Sequence, residues 1–203
     1  MEQRIQPSSF EPEIGDEVFV IDAGQRGIFR PQREKTIYRS LLELPRRQRQ
    51  RFDISEGFEI KRGFTYLVPL LDKLNSSFVD SIKSAAKSSL GRVFLNSRLL
   101  TDYNPGFNSI HPDYKPNALL DSWLLIQPQP FNLIISPGLT LNQLRFVKGT
   151  GAQLTPQEII DISKERPFLY NKGGNNLIPI TKPIVDKGLL LQVDLIGEET
   201  KGV

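Results

Sequence analysis

The feature that most limits the fold of this chain is the shortness of its apolar runs. They are rich in Val, Ile, Leu and Phe and are bounded by Gly, Pro, Asn or Asp, a pattern that predicts short β-strands. The predicted strands are EVFVID (17–22), GFEIKRG (57–63), FTYLVPLL (64–71), GRVFLNSRLL (91–100), SWLLIQ (122–127), FNLIIS (131–136), LTLNQLRFVK (139–148) and GLLLQVDLIG (188–197). Eight short strands in 203 residues predict one mainly β domain, either a barrel or a sandwich. The sequence SPG at 136–138 has the residue types of a type II turn and predicts a hairpin.

Two segments predict helices. In LTPQEIIDISKE (154–165), Thr155 is the expected N-cap and is followed by the Pro and Glu of a capping box. The second segment, EKTIYRSLLELPRRQRQ (34–50), has an apolar side and is interrupted by Pro45. That side consists of Ile37, Leu41 and Leu42.

The composition excludes several kinds of site. Cysteine is absent, so the chain has no disulfide and no Cys-based zinc site, and a cytoplasmic location is expected. The only histidine, His111, lies in the polar segment SIHPDYKPN, where a solvated histidine is favoured over a catalytic one. No apolar stretch approaches the roughly 18 residues of a membrane span. No membrane association is therefore expected.

The segment KSSLGR (87–92) has the residue types of an anion-binding site. Lys87 and Arg92 supply positive charge, Ser88 and Ser89 supply hydroxyl donors, and Gly91 permits close approach of the backbone. The alternative is a Ser-rich turn flanked by solvated cations. Spacing alone leaves both interpretations open.

A second basic cluster lies in LPRRQRQRF (44–52). Such cations are able to contact nucleic acid phosphates. However, acidic residues flank the cluster, Phe52 is its one aromatic residue, and the net charge of the chain is only +3. A solvated helix end is therefore favoured, and nucleic acid is not an expected partner. The cluster consists of Arg46, Arg47, Arg49 and Arg51.

Four segments occur in an order that resembles a known family: IQPSSFEPEIG (5–15), TYLVPLLDKL (65–74), KSSLGRVFLNSRLLTD (87–102) and SPGLTLNQLRF (136–146). Together they resemble dCTP deaminase of the dUTPase-like superfamily. They are most similar to the N-terminal half of the two-domain bacterial 2′-deoxycytidine 5′-triphosphate deaminases. The resemblance implies a distorted antiparallel β-barrel with one or two short helices. It also implies a single domain over 1–203, with a helical insertion at about 34–50 and a C-terminal helix and strand at 155–197.

The resemblance also implies an activity, hydrolytic deamination of dCTP to dUTP and ammonia in pyrimidine deoxynucleotide metabolism. The expected ligand is a deoxycytidine or deoxyuridine nucleotide. Magnesium accompanies the triphosphate, and neither zinc nor a protein metal ligand is expected. Family members are homo-oligomers, usually trimers, with active sites assembled between subunits.

The resemblance assigns site residues to two segments. The segment 87–92 occupies the family motif Arg-Ser-Ser-x-x-Arg, with Lys in place of the first Arg, and implies phosphate contacts from both serines and the last arginine. The first serine also lies near the reacting water. In the hairpin, the family's Gln supports the nucleotide pocket. The implied phosphate-binding and nucleotide-binding residues are Lys87, Ser88, Ser89, Arg92, Gln143 and Arg145.

Two further segments are assigned less directly. Ser8 and Ser9, followed by Glu11 where the family has Asp, are interpreted as structural. Tyr170 and Lys172, in FLYNKGGNN, are candidates for a nucleotide-covering arm, although the glycines and asparagines there also suit a plain loop.

The family's general acid/base is missing from its expected place. It is a Glu at the end of the strand before the hairpin, and counting back from Gly138 puts the equivalent position at Leu125. Gln127 is the nearest polar residue, and Asp121 is the one acid between 119 and 136. Neither Leu nor Gln accepts a proton, and general acid/base catalysis typically contributes about 10²–10⁴-fold. Two functions therefore stay open, an active dCTP deaminase and a catalytically silent nucleotide-binding homologue acting as a sensor or partner subunit.

Overall fold

The computed structural model describes residues 4–21, 29–75, 77, 79–110, 119–149, 154–170 and 176–180. The chain divides into two compact units, Met1–Gly149 and Thr150–Val203. The single domain over residues 1–203 stays a prediction.

The first unit consists mostly of short strands joined by turns. Its strands are β1 (Ile5–Gln6), β2 (Ser9–Phe10), β3 (Glu17–Ile21), β4 (Arg49–Asp53), β5 (Phe58–Ile60), β6 (Thr65–Pro69), β7 (Ser81–Ala86), β8 (Leu95–Thr101), β9 (Ser109–Ile110), β10 (Ser122–Pro128), β11 (Leu133–Ile135) and β12 (Asn142–Val147). Its helices are α1 (Ile37–Glu43) and α2 (Ser88–Arg92), with a 3-10 turn at Arg46–Gln48.

The strands form three antiparallel sheets. Sheet I has the order β1-β2-β12-β7-β9, sheet II the order β4-β3-β6-β10-β8, and sheet III pairs β11 with β5. The prediction of a mainly β, antiparallel fold with few helices is confirmed. Within the described ranges the three sheets are not closed into one continuous barrel.

The main core lies between sheets I and II. Val68 and Leu124 of sheet II and Ile82 and Leu144 of sheet I are fully buried in it. Because successive side chains of a strand point to opposite faces, the residues that alternate with these lie on the two outer faces. The outer face of sheet I carries Lys83, Ala85, Gln143 and Arg145, and that of sheet II carries Phe19, Leu67, Trp123 and Leu125.

A second core covers the outer face of sheet II. There the side chains of sheet II pack with Ile37 and Leu41 of α1. Thr36 caps α1 by accepting from the backbone N–H of Arg39, and Oδ1 of Asp102 accepts from the N–H of Ile37 at 2.8 Å. The helix is therefore fixed to the end of β8, above the sheet.

The predicted first helix is confirmed, with two corrections. It ends at Glu43 before Pro45, and β4 begins at Arg49, so the segment 34–50 is helical only in part. Leu42, predicted on the apolar side, is 46% exposed. The reason is that successive helical residues are about 100° apart, so Leu41 and Leu42 cannot both face the sheet.

The predicted hairpin at 131–148 is only partly correct. The turn forms, with Leu139 N–H bonded to Ser136 C=O and Gly138 at φ +81°, the conformation that favours glycine. Its two strands do not pair with each other, however, because β11 pairs with β5 whereas β12 pairs with β7 and β2. The turn therefore passes the chain from sheet III to sheet I.

Each predicted strand within the described residues overlaps an observed one, and the predicted strand at 188–197 lies outside them. The strand predicted at 91–100 is wrong at its start, because residues 91 and 92 belong to α2 and β8 begins at Leu95. Strands β1, β2, β4, β7 and β9 were not predicted, because they are short or polar.

The second unit contains the predicted helix, α3 (Pro156–Glu165). The capping box is confirmed, since Thr155 Oγ1 accepts from the backbone N–H of Glu158 and the Glu158 carboxylate accepts from the N–H of Thr155. Ile160 is its buried side chain, and Ile159 is partly buried beside it.

Candidate functional site

The predicted phosphate motif lies where β7 ends and α2 begins. The backbone N–H of Lys87 bonds to Leu141 C=O at 3.0 Å, so the start of the motif is fixed to the turn before β12. Leu90 and Val93 pack against the main core, which turns Ser88, Ser89 and Arg92 outward. No described residue forms a hydrogen bond or ion pair with these three exposed side chains. They are therefore available to an anion.

Lys87, in contrast, is bound to a buried carboxylate. Its Nζ lies 2.5 Å from Oε2 of Glu11 and 3.0 Å from Oγ1 of Thr140. Thr140 Oγ1 also donates to Oε2 of Glu11 at 3.2 Å, and Nε2 of Gln143 donates to its Oε1 at 3.2 Å. One carboxylate thus joins the end of β2, the phosphate motif and β12.

These contacts change the acidity of Glu11. The hydrogen bond from Lys87 is the largest influence and lowers the pKa of Glu11 below its ordinary value. Burial opposes this effect, while the bonds from Gln143 and Thr140 add to it. The carboxylate is therefore ionised at neutral pH, and the Glu11–Lys87 pair is charged.

Acid is expected to weaken the protein through Glu11. Because the folded-state pKa is lowered, the stabilisation is present above the unfolded value of about 4.3 and is lost as pH falls through the folded pKa. Denaturant midpoints of wild type and Glu11→Gln, measured from pH 7 to pH 3, should differ most at pH 7 and converge in acid. A gap that stays constant down to pH 3 would contradict this assignment.

Gln143 and Arg145 lie on the outer face of sheet I. Gln143 is directly opposite Ala85, and Arg145 is directly opposite Lys83. Like charges in directly opposite positions repel one another, and no described residue forms an ion pair with either cation. The structure thus brings Gln143 to the phosphate motif through Glu11 and places Arg145 farther along the same face.

Sequence analysis missed the direct contribution of Glu11 and Thr140 to this cluster. The one sequence feature that pointed to them was their location, since each lies in a segment that carried the family resemblance. Lys83 had no signal, because β7 has the polar sequence SIKSAA and was not predicted as a strand.

The expected position of the catalytic Glu, Leu125, lies on a different sheet from the one that carries the phosphate motif. Leu125 is 7% exposed and packs in the second core, under α1, on the outer face of sheet II. Gln127, on the same face, is half-buried and donates to Thr65 Oγ1 at 2.8 Å. The phosphate motif and Gln143 belong to the outer face of sheet I. Within one chain, therefore, the two halves of the expected site face opposite ways across the main core.

Asp121 does not supply a buried acid either. Its carboxylate is exposed just before β10 and lies 3.0 Å from Nζ of Lys73. It has the surroundings of a surface ion pair.

The second basic cluster is exposed except for the half-buried Arg49, but it does not form a helix end. Arg46 and Arg47 lie in the 3-10 turn, and Arg49 and Arg51 lie on β4, an edge strand of sheet II. Arg51 forms an ion pair with Glu17. The prediction of a solvated helix end is thus wrong in its secondary structure, because Pro45 stops the helix.

The other candidates are placed only in part. His111 and Lys172 lie outside the described residues. Tyr170 is exposed in the second unit and forms an isolated antiparallel β-bridge with Leu177. Among the residues that the structure describes, no three His, Cys, Asp or Glu side chains are grouped as metal ligands. No helix in the described ranges has the length and apolarity to cross a membrane.

Comparisons with known proteins point to one family. A family model described as the N-terminal domain of 2′-deoxycytidine 5′-triphosphate deaminase matches residues 1–150. The crystal structure of 2′-deoxycytidine 5′-triphosphate deaminase from Agrobacterium tumefaciens matches with 26% sequence identity and a TM-score of 0.62. The match covers 80% of this chain but only 44% of that one, so the chain spans less than half of its length. A comparison with curated proteins gives no significant match.

Proposed function

Since this chain belongs to the dCTP deaminase family, in which it matches the N-terminal domain, we propose that it binds a deoxycytidine or deoxyuridine triphosphate without deaminating it. The observation that carries the proposal is the contrast between two sites. The predicted anion ligands of the motif are exposed and unpaired among the described residues, whereas Leu125, the expected position of the general base, is buried in the second core. Retained phosphate ligands with a lost base describe a nucleotide sensor or a partner subunit.

The phosphate contacts come from the hydroxyls of Ser88 and Ser89 and the guanidinium of Arg92. A guanidinium donates two parallel hydrogen bonds to a phosphate, which gives geometric specificity as well as charge. Lys87 contributes little free charge, because Glu11 neutralises it. Arg145 and Lys83 extend the positive surface along sheet I.

Magnesium would arrive with the triphosphate. Mg²⁺ usually retains several waters and is held by substrate phosphates with one or two carboxylates. The carboxylate at the motif, Glu11, is already bonded by three donors, and the described residues include no group of acidic ligands. The phosphates and water, rather than a protein cage, would therefore hold the ion.

A second candidate function is deamination itself, which the family match over residues 1–150 favours. In that reaction a water adds to C4 of cytosine, its proton is removed by a general base, and ammonia leaves, so that dCTP and water become dUTP and ammonia. Ser88 would lie near the water. The base would be Asp121 or a group from another subunit, because Leu125 cannot accept a proton.

We also propose a homo-oligomer, a trimer by family resemblance. The outer faces of sheets I and II are separated by the main core, so one chain cannot bring its motif and the Leu125 region to the same ligand. In an assembly of copies, exposed residues of one chain can complete the site at the motif of another. Light scattering during size-exclusion chromatography tests this, and a monomer at micromolar concentration would contradict it.

Titration calorimetry of dCTP with Mg²⁺, followed by an ammonia assay on the same sample, tests the function. Binding without ammonia is the expected result. Binding with ammonia would replace the silent function by deamination, and absence of binding would overturn both.

A further inference from the structure

Strand β4 is an edge strand whose second side has no partner among the described residues. It pairs with β3 on one side only, at the margin of sheet II. Arg51, Phe52 and Asp53 are exposed, and no backbone bond joins them to a described residue outside β3. An edge of this kind presents a row of N–H and C=O groups to which another strand can be added. The strand is therefore open to a partner.

The register of β4 shows which residues direct their backbone groups to this open side. In an antiparallel pair, hydrogen-bonded pairs of residues alternate with pairs that are not hydrogen-bonded. The N–H of Ile54 bonds to Asp16 C=O at 2.8 Å, in the same register as the rest of the β3–β4 pair. Phe52, two residues earlier, therefore also bonds to β3, whereas Arg51 and Asp53 direct their N–H and C=O groups outward.

The side chains of β4 alternate with the same period. Arg51 and Asp53 lie on the outer face of sheet II, whereas Phe52 lies on the other face, with its ring centre 5.1 Å from that of Phe58 in sheet III. Arg51 forms an ion pair with Glu17, but a guanidinium has five N–H donors and can bind a second carboxylate. The open edge thus carries a cation and an anion on one face and an aromatic ring on the other.

This order of residues is self-complementary when two copies of β4 pair antiparallel. With the two-fold axis at Phe52, Arg51 of each copy lies directly opposite Asp53 of the other, and both residues direct their backbone groups outward. Opposite charges in facing positions stabilise a strand pair, and so do facing aromatic rings. Axes at Arg49, Arg51 or Asp53 place each of these charges opposite itself. An axis at Gln50 places Arg49 opposite Arg51, which also repel one another.

We infer that β4 binds β4 of a second copy of this chain in the register centred on Phe52, so that sheet II continues across a two-fold contact. Charged residues on an edge strand normally prevent unspecific pairing. Here they reject the other registers and permit one, which makes the contact specific. A two-fold contact joins copies in pairs and so differs from the three-fold contact of a trimer. It includes no residue of the phosphate motif, and it is therefore independent of nucleotide binding.

A single cysteine tests the register directly, because the chain contains none. Facing residues that are not hydrogen-bonded have Cα atoms about 4.5 Å apart, within the roughly 4.4–6.8 Å that a disulfide spans. Phe52→Cys should therefore form a disulfide-linked dimer on oxidation, which a non-reducing gel measures. The matched control is Phe64→Cys, at an exposed aromatic position in the turn between β5 and β6, and it should stay unlinked.

Reversed charges test the identity of the partner. Arg51→Asp places aspartates opposite each other, and Asp53→Arg places arginines opposite each other. Each variant alone should raise the dissociation constant of the paired copies by about tenfold, since two attractive pairs become two repulsive ones. Sedimentation velocity over a concentration series measures this change. An equal mixture of the two variants restores both opposite-charge pairs and should associate again, which two misfolded variants could not do.

Three results would overturn the inference. The first is a Phe52→Cys protein that stays unlinked, and the second is a mixture of Arg51→Asp and Asp53→Arg that associates no better than either variant alone. The third is a wild type that does not pair but binds a synthetic peptide of alternating glutamate and valine, with that binding lost in Arg51→Asp. The open edge would then belong to an acidic partner strand.

The experiment stays decisive if one variant does not fold. Oδ1 of Asp53 accepts from the N–H of Ser55 at 2.7 Å, and Asp53→Arg removes this bond. If that variant is unfolded by circular dichroism, Phe52→Cys and its Phe64→Cys control decide the matter. None of these changes lies at the phosphate motif, so the titration with dCTP decides the proposed function separately.

Discussion

Replacing Leu125 with glutamate, which restores the family's residue at its expected position, should destabilise the protein strongly and produce no ammonia. Leu125 is buried in the second core with Leu67 and Trp123, beneath α1. A carboxylate introduced there loses its water without gaining a buried partner, which typically costs about 3–5 kcal/mol. Since small domains are stable by only about 5–15 kcal/mol, this is a large share of the total. Urea denaturation followed by circular dichroism measures the change.

Two variants make this experiment specific. Leu125→Met keeps the volume and apolar character of the side chain and should cost less than about 1.5 kcal/mol. Gln127→Glu introduces the same carboxylate two residues later, on the same face but at a half-buried site with polar neighbours, and should be tolerated better.

Arg98 lies directly opposite Leu125 on β8 and is exposed. A stable Leu125→Glu protein that releases ammonia would mean that this arginine stabilises the new carboxylate and that the position is accessible to substrate.

Replacing Arg92 with alanine should weaken triphosphate binding by roughly 1.5–3 kcal/mol, or about 10-fold to 150-fold, the range for hydrogen bonds to charged groups. The guanidinium is exposed, and no described residue pairs with it. Its loss should therefore leave the free energy of unfolding nearly unchanged. Calorimetric titration of dCTP with Mg²⁺ into wild type and variant measures the difference.

The matched control for Arg92 is Arg62→Ala, which removes an exposed arginine from the turn between β5 and β6. This change should leave dCTP affinity within about twofold of wild type, apart from long-range screening effects. Arg92→Lys should recover part of the affinity, because it restores charge without the planar fork. If Arg92→Ala binds dCTP as tightly as wild type, the phosphate assignment of the motif is wrong.

Several parts of the fold were predictable because their causes are local. The Thr155 capping box and the turn at Gly138 depend on residues within four positions of each other. The strands rich in Val and Leu were predicted from the spacing of their apolar residues and from their composition. The polar strand β7 was missed, because it is stabilised by pairing with β12 and β9 rather than by its own sequence.

The candidate site shows the same division between local and distant causes. The order of serines and cations in 87–92 predicts an anion site, and the exposure of Ser88, Ser89 and Arg92 agrees with that role, which stays a prediction. The sequence could not show that Lys87 is neutralised by Glu11, which lies 76 positions away along the chain. That contact exists only because β2 and β7 both flank β12 in sheet I.

The sequence by itself determined the β-rich composition, the turn at Gly138, the cap at Thr155 and the absence of an acid at Leu125. These depend on side-chain chemistry and on neighbours along the chain. Only the tertiary structure decided which outer face each candidate residue occupies. Strand order and register are set by burial of the main core and the second core together, and they placed Gln143 and Leu125 on opposite faces. The physical reason is that burial is shared among strands distant in sequence, so no single segment contains the information.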